Sequence, residues 1–224
     1  MFNPSFIKTK SRAAEVSKSR GIGVGNSNPD SEGVKDRLPP GQRIHNGNNP
    51  EEFPVLDLGV HPAFNPETYT FEVTGLVANP ISWSWDEVMS KIPKVGQTSD
   101  FHCVTRWSKY DIKWAGFKYL DLEKFVKPKP EAKFVVQYGL DGYTTNVPIE
   151  DLRNEDVLFA YELYGKPLPL DHGAPMRLII PKLYGWKGSK FIHKIEFVAE
   201  DEPGFWEVRG YHNHGNPWKE ERYG

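Results

Sequence analysis

The sequence predicts an α+β fold on a mixed sheet: short period-two apolar runs alternate irregularly with brief capped helical stretches, and no repeat period is present. Tyr69-Thr70-Phe71-Glu72-Val73-Thr74-Gly75 alternates apolar and polar side chains and stops at a glycine, the pattern of a half-buried strand. Ser84 stands where an N-cap belongs, Asp86 and Glu87 load the next turn with acid, and Pro93 lies beyond, so a short helix is expected to about Lys91. Tyr119 to Val126 reads as a second short helix. Phe134 to Tyr138 reads as a strand, with Asp141-Gly142-Tyr143 as a hairpin-like turn after it. Met176 to Ile180 and Phe191 to Val198 complete the expected strands.

Residues 1–50 differ in composition from the rest. They are rich in Gly, Ser, Asn, Pro and charge, and read as an extended, partly flexible N-terminal arm, with residues 51–224 as one domain. Lys8, Lys10, Arg12, Lys18 and Arg20 face only Glu15 in the first twenty positions, yet no aromatics interleave with them beyond Phe2 and Phe6. With a net charge of −2, nucleic acid and anionic lipid are not expected partners. No apolar run approaches the length of a membrane span. The start lacks a secretory apolar region and a twin-arginine pair, so a cytoplasmic location is expected.

Cys103 is the single cysteine of the chain, which excludes an internal disulfide, a multi-thiolate zinc site and an iron–sulfur cluster held by this chain alone. Two readings of it stand on composition: a small buried hydrophobe, or one thiolate bond to a soft metal. Its surroundings, His102-Cys103-Val104-Thr105-Arg106-Trp107-Ser108 and then Trp114-Ala115-Gly116-Phe117, resemble the molybdenum-ligand loop of the sulfite oxidase family. Two further blocks follow in the family's order. One runs from Leu158-Phe159-Ala160-Tyr161-Glu162-Leu163 through Asp171-His172-Gly173-Ala174-Pro175-Met176-Arg177-Leu178 to Lys187-Gly188-Ser189-Lys190, and resembles the pterin-binding half. The other, Pro203-Gly204-Phe205-Trp206-Glu207 to Pro217-Trp218, resembles the tail of short prokaryotic members.

That resemblance implies a sulfite-oxidase-like molybdopterin-binding fold, an oxidoreductase, and a molybdenum-molybdopterin cofactor ligated through Cys103. It makes Cys103 and Arg106 the candidate catalytic residues. His61, His102, His172, Arg177, Gly188, Ser189 and Lys190 become candidate cofactor contacts, with Lys187 a weaker one. Arginine and lysine suit the pterin phosphate as a planar fork and a point charge, and Gly185 and Gly188 permit close backbone approach. A solvated Arg106 and an exposed-loop His61 are the competing readings of those two residues.

The chain also departs from the larger sulfite oxidases. Leu56 aligns where they carry an arginine, and no Cys-x-x-Cys-His heme motif is present. Sulfite itself is therefore in doubt. The expected reaction is two-electron oxygen-atom transfer on a small substrate, either a sulfite-like oxyanion or an S- or N-oxide. A separate redox carrier protein is expected to dock near the tail between Phe205 and Trp218. The alternative is a non-catalytic pterin carrier.

Overall fold

The computed structural model describes residues 37–46 and 51–224. Its strands, in chain order, are β1 (Arg43–Ile44), β2 (Thr70–Gly75), β3 (Ile81–Ser84), β4 (Val95–Cys103), β5 (Trp107–Lys118), β6 (Phe134–Gly139), β7 (Thr144–Pro148), β8 (Leu158–Leu163), β9 (Lys166–Pro167), β10 (Arg177–Ile179) and β11 (Ile192–Val198). Among the described residues three short helices join them: α1 (Trp85–Lys91), α2 (Tyr119–Val126) and α3 (Ile149–Leu152). None of the described helices is long and apolar enough to cross a membrane.

Two sheets result. The first runs β1-β5-β8-β10, with β4 also on β5 and β9 on β8; the second runs β3-β2-β11-β6-β7. Both mix parallel and antiparallel pairs, since β1 lies parallel to β5 and β11 parallel to β2, as the expected mixed-sheet α+β class requires. The main core lies between them. Phe71 and Val73 of β2, and Ile195 and Phe197 of β11, meet Phe117, Phe159 and Leu178 of the first sheet. Phe117 stacks on Phe159 with centroids 4.9 Å apart. Strand pleating sends the alternate residues Leu158, Ala160 and Ile179 to the other face, where they join Phe53, Cys103, Trp107, Ile112 and Trp114 in a second cluster.

Several local expectations hold. Ser84 and Glu87 form a reciprocal capping box, the Glu87 N–H reaching Ser84 Oγ at 3.4 Å and the Ser84 N–H reaching Glu87 Oε2 at 3.0 Å. Gly142, at φ 83°, closes the turn between β6 and β7 while Asp141 Oδ1 accepts the Tyr143 N–H. Part of the stretch read as an arm is integral to the body, because β1 pairs with Trp107 and Ser108 at the start of β5. Residues 1–36 and 47–50 of the arm lie outside the described residues. The long β4–β5 hairpin has no counterpart among the expected strands. It carries the cysteine.

Candidate active site

Cys103 ends β4, opposite Trp107 of β5, and the chain turns between them through Val104, Thr105 and Arg106. Arg106 closes this turn at φ 70°, a left-handed conformation that costs a side-chain-bearing residue about 1–2 kcal/mol. Its N–H returns to the Cys103 carbonyl at 3.1 Å. The preceding strand grips the same turn, since Gln42 Nε2 donates to the Cys103 carbonyl at 2.9 Å and the Arg43 N–H to the Arg106 carbonyl at 3.1 Å. Cys103 Sγ lies 3.2 Å from Thr105 Oγ1 and is buried, and that burial pushes the thiol pKa up.

On the Cys103 side of the sheet the walls are aromatic. Phe101 stacks on Trp107 at 5.8 Å, and Phe53 lies among Phe101, Trp107 and Trp114. Arg177 comes from β10 and is only 2% exposed. Its guanidinium lies over Phe101 at 5.2 Å and Trp114 at 5.7 Å, and donates to the His172 carbonyl at 3.0 Å. No carboxylate pairs with it among the described residues. Burial lowers its pKa to about 10, the Cys103 sulfur being the opposing influence. His172 stacks on Phe53 at 4.1 Å, and burial beside Arg177 and Lys190 lowers it to about 4, so its imidazole is neutral near pH 7.

Lys190 packs under the same turn. Gly173, at φ 108°, has no room for a side chain, because a Cβ there would lie 2.9 Å from the Lys190 Cβ. Lys190 Nζ donates to the Asp171 carbonyl at 2.7 Å and stands 3.5 Å from Asp57 Oδ2. Burial, then Arg177, lowers it to about 8 against the pull of Asp57. His61 bridges the neighbouring acids, with Nε2 2.9 Å from Asp57 and Nδ1 3.5 Å from Asp171. His61, His172, Arg177 and Lys190 thus form one contiguous group linked through Asp57 and Asp171.

Four expected site residues have other surroundings. His102 is buried on the opposite face of β4 from Cys103, with Nδ1 2.8 Å from Ser108 Oγ and its ring edge-on to Trp218 at 5.0 Å; the pleat corrects its expected place in the cofactor cavity. Gly188 makes its close approach to the protein's own β10, where a Cβ would strike the Leu178 carbonyl oxygen. Ser189 spends its N–H on Gln137 Oε1 and holds its hydroxyl 3.0 Å from the Lys190 carbonyl, leaving a ligand only the rotatable hydroxyl. Lys187 is fully buried and gives its ammonium to Glu207 at 2.6 Å, Asn213 O at 2.7 Å and Asn146 Oδ1 at 3.0 Å. A lysine has three N–H donors, so none remains for a phosphate.

Among the described residues no group of three or more His, Cys, Asp or Glu is placed to hold a metal ion. A metal at Cys103 must therefore bring most of its ligands with it, as a pterin dithiolene does. The surroundings fit such a group. Buried polar atoms without partners among the described residues include His172 Nδ1, Arg177 Nε, Trp114 Nε1, Tyr184 OH and Arg222 Nε, and such atoms are costly unless a ligand satisfies them. Arg222 is a site residue that sequence reasoning misses. It stands in Glu220-Glu221-Arg222-Tyr223, which reads as an ordinary polar tail, and no local signal separates it from a solvated arginine.

The profile of the oxidoreductase molybdopterin-binding domain matches residues 58–206. The uncharacterized oxidoreductase YuiH of Bacillus subtilis (strain 168) is 38% identical over 84% of this chain and 92% of its own length. Two protein-methionine-sulfoxide reductase catalytic subunits MsrP are also similar. The Ralstonia nicotianae protein is 28% identical over 68% of this chain and 52% of its own length. The Campylobacter jejuni protein is 33% identical over 64% and 54%. This chain thus spans about half of either. The crystal structure of the sulfane dehydrogenase SoxCD from Paracoccus pantotrophus shares the fold, with a TM-score of 0.58 over 70% of this chain and 46% of that one at 18% identity. The protein belongs to the sulfite-oxidase-type family of molybdopterin-binding oxidoreductases and is an enzyme whose cofactor is molybdenum-molybdopterin.

Proposed function

We propose that this enzyme transfers an oxygen atom, with two electrons, to or from a small substrate, and that a separate carrier protein exchanges the electrons. S-oxides and N-oxides are the preferred substrate class, ahead of sulfite-like oxyanions. The observation that carries the reading is the setting of Cys103, a single buried sulfur beside the buried guanidinium of Arg177, which has no carboxylate partner among the described residues. When bound, the molybdenum-pterin supplies the two-electron couple and the exchangeable oxygen.

The chain's own residues do the rest. Cys103 offers the soft sulfur ligand. Arg177 and Lys190 supply cationic donors for the pterin phosphate, and neutral His172 offers its unpartnered Nδ1. Phe53, Phe101 and Trp107 pack around Cys103 and exclude water, which strengthens the charge interactions there. For a sulfoxide the sulfur–oxygen bond breaks, two electrons and two protons are taken up, and a sulfide and one water leave, so an electron donor is required at each turnover. The names of the MsrP relatives support S-oxides, and relatives named as oxidoreductases support turnover over pterin storage.

The test is a dye-linked assay on cofactor-replete protein. Reduced viologen should be consumed with dimethyl sulfoxide or trimethylamine N-oxide, and substrate alone should give no sustained turnover. Loaded protein that turns over none of these, nor sulfite with an oxidised dye, would overturn the reading.

A further inference from the structure

Arg222 is 4% exposed, and its guanidinium donates to the Val104 carbonyl at 2.7 Å and the Pro40 carbonyl at 3.4 Å. It also lies over the Tyr184 ring at 4.9 Å. Among the described residues its nearest carboxylate, on half-exposed Glu220, is 3.9 Å away, and Arg222 Nε is buried without a partner. Burying a guanidinium so weakly compensated is expensive unless negative charge is stationed nearby. Val104, the residue it grips, follows Cys103 directly. Tyr184 brings an equally unpartnered hydroxyl to the same place.

We infer that Arg222 is a positioning residue for the metal ligand, clamping the Cys103–Arg106 turn from the C-terminal segment and bringing a permanent positive charge to that turn. The inference rests on Cys103 as the molybdenum ligand. Reduction adds negative charge to the centre, which a fixed neighbouring cation favours. Lysine would keep the charge, but its point-like ammonium would not span two carbonyls as the planar fork does.

The test is redox titration and metal analysis of holoenzyme carrying Arg222→Met or Arg222→Lys, matched for thermal unfolding midpoint. Arg222→Met should shift the molybdenum midpoint potential to more negative values and lower metal content under limiting cofactor. Arg222→Lys should recover the potential but only part of the metal content. Should Arg222→Met fail to fold, Arg222→Gln, neutral but still a donor to carbonyls, replaces it in the comparison. A neutral variant with the wild-type potential and metal content would overturn the role of Arg222. Wild-type protein without a cysteine-sulfur signature at the metal would instead overturn the ligand assignment beneath it.

Discussion

His102 and Cys103 are neighbours in sequence and point to opposite faces of β4. Cys103 packs in the aromatic cluster of Phe53 and Trp107, whereas His102 is held by Ser108 Oγ against Trp218. A strand's pleat forces this separation on any two consecutive residues.

His102 should therefore matter to stability more than to cofactor retention. His102→Ala removes one buried hydrogen bond and leaves Ser108 unsatisfied, costing about 1–3 kcal/mol in denaturant unfolding. Molybdenum content per folded protein should stay at the wild-type level. A selective loss of metal from a stably folded variant would place His102 back at the site.

Arg177→Ala should impair cofactor retention. Losing a charge-assisted partner of a phosphate is worth roughly 1.5–3 kcal/mol, or about a ten- to hundredfold weakening. Molybdenum per protein, measured after expression under limiting cofactor, reports it. Equal content in variant and wild type would contradict the assignment.

Retention should also depend on pH through Lys190, whose pKa is lowered from 10.5 to about 8 chiefly by burial. A lysine with a depressed folded pKa binds fewer protons than in the unfolded chain across that window, so the cofactor-free protein gains stability as pH rises through it. A bound phosphate favours the charged lysine and reverses the preference, so cofactor release should accelerate above about pH 8. Lys190→Arg should flatten that dependence. Identical release profiles for the two proteins would sink the assignment of Lys190 to the phosphate.

Lys187 and Glu207 form a buried pair 2.6 Å apart that ties the C-terminal segment to the body. Lys187→Met leaves the Glu207 carboxylate buried and unpaired, a defect typically worth about 3–5 kcal/mol. Chemical denaturation should show that loss, and adding Glu207→Leu should restore much of it. An Lys187→Met protein with wild-type stability would contradict a structural role for the pair.

Much of this architecture is legible in the sequence where local chemistry decides it. The Ser84–Glu87 box, the Asp141-Gly142 turn and the alternation of β2 are each written within a few residues. The β4–β5 hairpin is not. Val95-Gly96-Gln97-Thr98-Ser99-Asp100 is mostly polar, and a register shift between Ser99 and Phe101 breaks the alternation that a strand reading relies on. The motif around Cys103 marks the site, yet composition cannot tell a lysine committed to Glu207, Lys187, from one beside Asp57 and Asp171 at the candidate site, Lys190. Arg222 reaches the site across 118 positions of sequence, a contact that only the folded chain creates.

The most direct test of the account is X-ray absorption at the molybdenum edge of holoenzyme and of Cys103→Ser, with the pterin quantified in both. The account predicts one sulfur scatterer fewer in the serine variant at equal pterin content, with oxygen-atom transfer abolished. An unchanged sulfur shell and undiminished turnover in Cys103→Ser would contradict the claim that Cys103 ligates the metal.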